Sequence, residues 1–381
     1  MLALTGATIY SMHYPPIEDA TILIEGKKIK AIGDKITLPH NCKMIDVSGK
    51  VITPGLIDAH THLGIFSEGT GYFDDDLNEA SQPLTPGLSV LDAINPRDIG
   101  LTLAYQAGVT TVMVAPGSAN PIGGQCCIIK TKAQSEVDSM LVKQHAGLKV
   151  SFGENPKHVY RKASKMPYTR MATANLIRET FLKAREYMAK QNDEDFEFKI
   201  GYEAIAKVMR KEMPLRAHAH RADDIVTAIR IAKEFDLQLI IEHATEAHLI
   251  PDVLAREEIP VVLGPLMHCR TKPELTNVNM RTPYILAKYG IPFAVMSDHP
   301  VTPSEFLPIY AALSTKYGLD SEQALRAITI DAAKILGIDK KVGSLQEGLD
   351  ADLVVWSDFP LHIDAHVEMV MVNGELEDLT E

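Results

Sequence analysis

Between Leu2 and Val51, short alternations of apolar and polar residues, Ala20 to Glu25 and Lys28 to Ile32 among them, are interrupted at Gly26, Gly33 and Gly49. A period of two broken by glycine predicts strands joined as hairpins, so the chain opens with a small β unit. The texture returns after Gly343, in Ala351 to Trp356 and in Val367 to Val372 ahead of Asn373-Gly374. The two ends are therefore expected to share one sheet.

Between them the pattern changes. Apolar runs of strand length occur at Val51 to Ile57, Val109 to Ala115, Cys126 to Ile129, Leu148 to Phe152, Pro214 to Ala217, Leu237 to Ile241, Ile259 to Leu263 and Ile291 to Met296. Most are separated by segments of helical spacing, such as Asp223 to Phe235, Glu246 to Glu257, Glu274 to Tyr289 and Ser321 to Leu336. That alternation predicts parallel strands with crossover helices, and the natural closure is an α/β fold of the (β/α)8 TIM-barrel type. Pro116 to Gln125 is too short for a crossover helix, so the barrel is expected to be irregular there. Two long connections, Gly64 to Asn95 and Asn155 to Gly201, are expected over the C-terminal face, where barrel active sites lie.

Composition narrows the partners. At 381 residues and 46% hydrophobic content the chain can bury a large core, with room for a smaller companion unit. Lys and Arg number 38 against 50 Asp and Glu, a net charge of -12. With no long basic run, this argues against nucleic acid or an anionic membrane surface and for a small-molecule substrate. Cys42, Cys126, Cys127 and Cys269 form neither a zinc ribbon nor a disulfide framework, which fits reduced thiols in the cytoplasm. Met1 to Ser11 does not read as a leader and no long apolar span occurs, so neither export nor a membrane span is expected. Homo-oligomerisation is left open.

The chemistry gathers at strand ends. The first barrel run continues into Asp58-Ala-His60-Thr-His62, and strand alternation puts the two imidazoles on one side, about 7 Å apart along the strand. A lone His-x-His pair is weak evidence. Other apolar strands, however, also finish in ligand-type residues: His218 and His220, then His243, then Asp298 with His299. Burying bare imidazoles and a carboxylate costs several kcal/mol unless something satisfies them, and one divalent cation would satisfy them together. Nitrogen-rich ligation with one carboxylate suits zinc best, with iron, cobalt or manganese as alternatives and one or two ions open.

Other polar positions are weighed beside these. His220 faces the same way as His218, as a group to polarise a substrate carbonyl, a substitute ligand or a solvent-facing loop residue. His299 points the other way and reads as an orienting partner. Arg221, His268 and Arg270 could meet an anionic substrate group, with surface salt bridges as the plainer alternative. Gly117 to Gln125 lacks the ending of a phosphate loop, and Asp74-Asp75-Asp76 lacks the spacing of a calcium loop.

Pro54-Gly-Leu-Ile-Asp-Ala-His-Thr-His62, followed in order by His218, His243 and Asp298, resembles the amidohydrolase superfamily over nearly the whole chain, most of all its imidazolonepropionase-related members. The resemblance implies a β-sandwich assembled from both ends (1–53 and 341–381) around a hydrolase barrel at 54–340. It implies that His60 and His62 hold one metal, that His218 and His243 contribute from the fifth and sixth strands, and that Asp298 on the eighth is both ligand and proton shuttle. A second metal in that superfamily needs a bridging Glu or carbamylated Lys from the fourth strand. Glu154 is preferred because it follows the apolar run, with Lys149 as its rival and Asn155 beside it as a substrate contact. The expected reaction is metal-dependent hydrolysis of an amide, cyclic or linear, with a dipeptidase as the alternative. A deaminase is weaker, because such relatives carry a Glu where Arg221 stands, and so is a ligand-free scaffold, because every expected ligand type is present.

Overall fold

The computed structural model describes residues 1–68 and 75–380; Asp74 and part of the Gly64 to Asn95 connection lie outside them. Five strands open the chain: β1 (Leu2–Ile9), β2 (Ile17–Glu25), β3 (Lys28–Gly33), β4 (Lys43–Asp46) and β5 (Val51–Pro54). Eight follow: β6 (Leu56–Thr61), β7 (Val109–Val114), β8 (Ile122–Lys130), β9 (Leu141–Ser151), β10 (Leu215–Ala219), β11 (Leu239–His243), β12 (Val261–Leu263) and β13 (Phe293–Val295). The chain closes with β14 (Leu353–Trp356), β15 (Val367–Val372) and β16 (Glu375–Asp378).

The two ends do share a sheet, in the order β16-β15-β14-β5-β1-β2-β3 with β4 paired to β1. The seam is the antiparallel pairing of β5 with β14, Thr53 opposite Val354. This sheet has its own apolar core, including Leu4, Ile22, Ile52, Leu353 and Val355. The predicted run Val51 to Ile57 is divided between the two sheets at Gly55. A Cβ there would lie 2.0 Å from Thr110 Oγ1, so only glycine lets the chain pass this close.

The second sheet runs β6 to β13 in chain order and is a nearly closed TIM-type barrel. At its mouth Asp298 N–H donates to His60 O (3.2 Å) and His62 N–H to His299 O (2.9 Å), joining the last strand to the first. The irregularity falls where the short connection predicts it: β8 is antiparallel to both β7 and β9, while β6–β7 and β9 through β13 pair in parallel. A strand that runs backwards needs no crossover helix. Ile57, Met113, Ile128, Ile240, Val262 and Met296 meet inside the barrel, capped by Ala332, Ala333 and Leu336.

The helices are α1 (Ile99–Gln106), α2 (Glu154–Lys162), α3 (Arg170–Ala189), α4 (Ile200–Met209), α5 (Ala222–Phe235), α6 (Pro251–Arg256), α7 (Thr282–Lys288), α8 (Leu307–Lys316), α9 (Ser321–Arg326) and α10 (Ile330–Leu336). Three expectations change. Asn155 to Gly201 is not an open loop but carries α2, α3 and the start of α4. Glu274 to Tyr289 is helical only over α7 and a short turn at Pro273–Leu275. Ser321 to Leu336 is split between α9 and α10. Among the described residues no helix is long and apolar enough to cross a membrane.

Candidate metal centre

A cavity of about 500 Å³ opens at the C-terminal ends of the parallel barrel strands, with His62, His218, His220, His243, Lys149 and Asp298 in its wall. His60 lies beneath, fully buried. The rings pack edge to face, with centroids 5.1 Å apart for His60 and His62, 5.4 Å for His60 and His243, and 4.2 Å for His218 and His243. His243 and Asp298 have φ of 71° and 58°, left-handed values that are costly for residues with a Cβ. Such strain is characteristic of functional positions, and here it bends the strand ends toward the cavity.

One nitrogen of each ring is fixed from behind. His62 Nδ1 donates to the Ala115 carbonyl (2.7 Å) and His243 Nδ1 to that of Gly264 (3.2 Å). A carbonyl only accepts, so both rings are Nδ1–H tautomers with Nε2 left as a lone pair. His220 Nδ1 faces the Thr245 hydroxyl at 2.8 Å. His218 Nδ1 and His220 Nε2 are buried without a hydrogen-bond partner among the described residues.

The donor spacing suits a cation. Asp298 Oδ1 is 3.4 Å from His60 Nε2 and 3.3 Å from His62 Nε2, against the roughly 3.4 Å edge of a tetrahedron with bonds of about 2.0–2.1 Å. Ligand atoms of His60, His243 and Asp298 lie within 4.8 Å of one another, as do those of His218, His220 and His243. The residues therefore fit a divalent ion. Burial lowers the pKa of His62, His218 (to about 4), His220 and His243, keeping the rings neutral and ready to bind. Burial alone would raise Asp298, but the adjacent His60 and His62 hold it well below the usual carboxylate range.

The profile of the amidohydrolase family matches residues 51–376. The chain belongs to that family. It is a hydrolase acting on carbon–nitrogen bonds, related to the imidazolonepropionases. An imidazolonepropionase of Vibrio cholerae is 25% identical, over 98% of both chains. Amidohydrolase tasK of Hapsidospora irregularis is 27% identical over 93% of this chain, which spans 39% of that protein's length. A crystal structure of an amidohydrolase from Thermotoga maritima superposes with a TM-score of 0.96 at 44% identity, covering 99% of each chain. A prolidase structure complexed with N-methylphosphonate-L-proline shares the fold, with a TM-score of 0.66 at 19% identity over 99% of each.

Beneath the cavity of this amidohydrolase lies a layer of buried charge, of which the sequence reading named His60 and Lys149 but not Glu242 or Arg216. Glu242 and Arg216 are fully buried and pair at 2.6 Å, and Arg216 also donates to the Ala59 carbonyl (3.3 Å). Glu242 Oε2 faces His60 Nδ1 at 2.9 Å and Lys149 Nζ at 3.3 Å. Lys149 Nζ is also 3.4 Å from His60 Nε2. Burial would raise Glu242, yet the charges of His60, Arg216 and Lys149 hold it far below the carboxylate range. For His60 burial acts downward, and the Glu242 charge overcomes it to give a net rise. A signal was available: a charged residue inside an apolar strand, as in Leu215-Arg216-Ala217, requires a buried partner.

The remaining candidates separate. Asn155 lines the cavity, with Nδ2 2.8 Å from Ser118 Oγ and 3.4 Å from His218 Nε2. His268 lines it too, its ring nitrogen turned to the Cys269 carbonyl. Glu154 does not: Gly153, at φ 82°, turns the chain into α2, and the Glu154 amide donates to Glu274. Arg221 is outside the lining and paired with Asp223, and Arg270 donates to the carbonyls of Thr276 and Val278. The cation at the rim is instead Lys272, 2.8 Å from the buried Glu274, whose carboxylate is 3.5 Å from His220 Nε2. His299 is buried beside Glu68 (3.4 Å) and accepts the Ser304 amide.

Proposed function

We propose that the protein hydrolyses an amide, cyclic or linear, of a small carboxylate-bearing substrate, using zinc held by His60, His62, His218, His243 and Asp298. The observation that carries this reading is the convergence of these side chains, from the ends of four strands, in and directly beneath one cavity at the barrel mouth. Zinc is preferred because the donors are imidazole nitrogens with a single carboxylate. Lys149 replaces Glu154 as the residue for a second ion, because Lys149 lines the cavity and Glu154 does not. As a carbamate it would supply the anionic oxygens that a second ion needs.

When bound, the ion lowers the pKa of water from 15.7 to roughly 7 and polarises the scissile carbonyl. Asp298, ionised at neutral pH, accepts the proton of the attacking water and delivers it to the leaving nitrogen. His220, held at Nδ1 by Thr245, turns Nε2 to the substrate carbonyl oxygen. The Lys272 ammonium meets the substrate carboxylate, and Asn155 steadies the group beside His218. Phe66, Met267 and Val301 give the cavity an apolar side against which the substrate's apolar part can pack.

Kinship with proteins named imidazolonepropionase keeps cyclic amides first, and the Lys272 ammonium favours a dipeptide as the second reading. Residues 1–53 and 341–381 are taken as one β-sandwich beside the barrel at 54–340, a division supported by the shared sheet and its separate core. Four free cysteines suit a cytoplasmic setting. The test is metal analysis of the purified protein, followed by assay of lactams, N-acyl amino acids and dipeptides with added zinc, cobalt or manganese. Bound metal and turnover of one class are expected. Protein that takes up no metal and leaves every class intact would refute the proposal.

A further inference from the structure

We infer that Glu242 is a positioning residue: clamped by Arg216 through one oxygen, it uses the other to fix the Nδ1–H tautomer of His60 and to hold the Lys149 side chain. The inference rests on the metal site proposed above and goes beyond it, since Glu242 touches neither cavity nor substrate. Among the described residues, His60 Nδ1 has no hydrogen-bond partner other than the Glu242 oxygen facing it at 2.9 Å. Lys149 Nζ stands 3.3 Å from that same oxygen. Arg216, 2.6 Å from Oε1, also donates to the carbonyl of Ala59, the residue before His60. One carboxylate thus ties β6, β9, β10 and β11 together directly beneath the ligands.

The chemistry of donors and acceptors gives this arrangement a direction. An ionised carboxylate only accepts, so it requires a proton on His60 Nδ1 and leaves the Nε2 lone pair facing Asp298 Oδ1 at 3.4 Å. In Glu242→Gln, Arg216 and Lys149 can both only donate, and Arg216, at 2.6 Å against 3.3 Å for Lys149, claims the amide oxygen. The amide NH2 must then face His60 Nδ1, which becomes the acceptor, and the proton moves to Nε2. A protonated Nε2 cannot bind a metal. If Glu242 merely balanced the Arg216 charge, the swap would weaken binding through an uncompensated cation but leave the same His60 nitrogen on the metal, so the bound Co(II) bands would keep their wild-type form.

The experiment compares the full-length wild type, Glu242→Gln and the double variant Arg216→Met/Glu242→Gln. It reads Zn(II) affinity by chelator competition, the visible bands of bound Co(II), and the melting temperature of each metal-free protein. Glu242→Gln is expected to bind Zn(II) roughly 10- to 100-fold more weakly, with an altered Co(II) spectrum. The double variant frees the amide to turn its oxygen to His60 and is expected to recover most of the affinity and the wild-type spectrum. Wild-type affinity in Glu242→Gln, or a double variant as weak as the single, overturns the inference. If the single variant does not fold, the double variant decides alone: a wild-type Co(II) spectrum supports the inference and weak binding overturns it. A wild type that binds no metal would instead defeat the proposed function, so the two failures are distinguishable.

Discussion

Asp298→Asn tests the proposed proton route most directly. The carboxylate is buried, with one oxygen 3.4 and 3.3 Å from the Nε2 atoms of His60 and His62 and the other 3.9 Å from His243. Burial acts against its ionised form, and His60 and His62 shift it the other way, below the usual carboxylate range. Asparagine keeps the size but can neither take a proton from water nor give one to nitrogen. General acid–base groups contribute about 10²–10⁴-fold in rate, so kcat should fall by that factor, about 3–5 kcal/mol of barrier. Activity on the substrate identified by the panel should be measured beside metal content, because the amide also replaces a charged group proposed as a ligand. A variant with less metal and proportionally less activity would report ligand loss alone. A variant that binds metal normally and turns over at the wild-type rate refutes the assigned role.

Lys272→Ala should raise KM for carboxylate substrates roughly tenfold or more through loss of a charge-assisted bond, with little change in kcat. Arg221→Ala and Arg270→Ala should leave KM nearly unchanged, and steady-state kinetics that reverse this order would move the anion contact elsewhere. Gly55→Ala places a Cβ 2.0 Å from Thr110 Oγ1, and overpacking of this kind costs about 1–3 kcal/mol. Denaturant titration should show the loss, and adding Thr110→Ala should restore most of it; an unchanged midpoint in the single variant would contradict the packing argument. Lys130 on β8 pairs with Asp350 and with the buried Asp352, linking the barrel to the terminal sheet. Lys130→Met strands that charge and should cost about 3–5 kcal/mol, whereas Lys28→Met, at the exposed edge of the cluster, should cost about 1 kcal/mol or less. Similar midpoints for the two variants would show that burial does not govern this pair.

The barrel and its candidate metal ligands were legible because both depend on local pattern. Apolar runs of strand length mark the walls, and His60, His62, His218, His243 and Asp298 are polar residues where such runs end, a placement that burial makes costly without a shared partner. What was not legible has one physical origin. Alternation tells which side chains share a face only while the backbone stays extended. Along β10 it does, and Arg216, two residues before His218, could have been read as pointing the same way. At the end of β11 it does not: His243 and Ala244 adopt φ of 71° and 50°. Glu242 and His243, which alternation assigns to opposite faces, therefore serve one site, the acid below and the imidazole at the cavity. Gly153 at φ 82° has the opposite effect, taking Glu154 away from the mouth and leaving Lys149 as the residue of β9 that meets the histidines. The reversal of β8 escaped for a related reason, since an apolar run reads the same in either direction and only its short connection reveals it. In this amidohydrolase the chemistry gathers where strands bend out of the β region, which is where periodicity stops being informative.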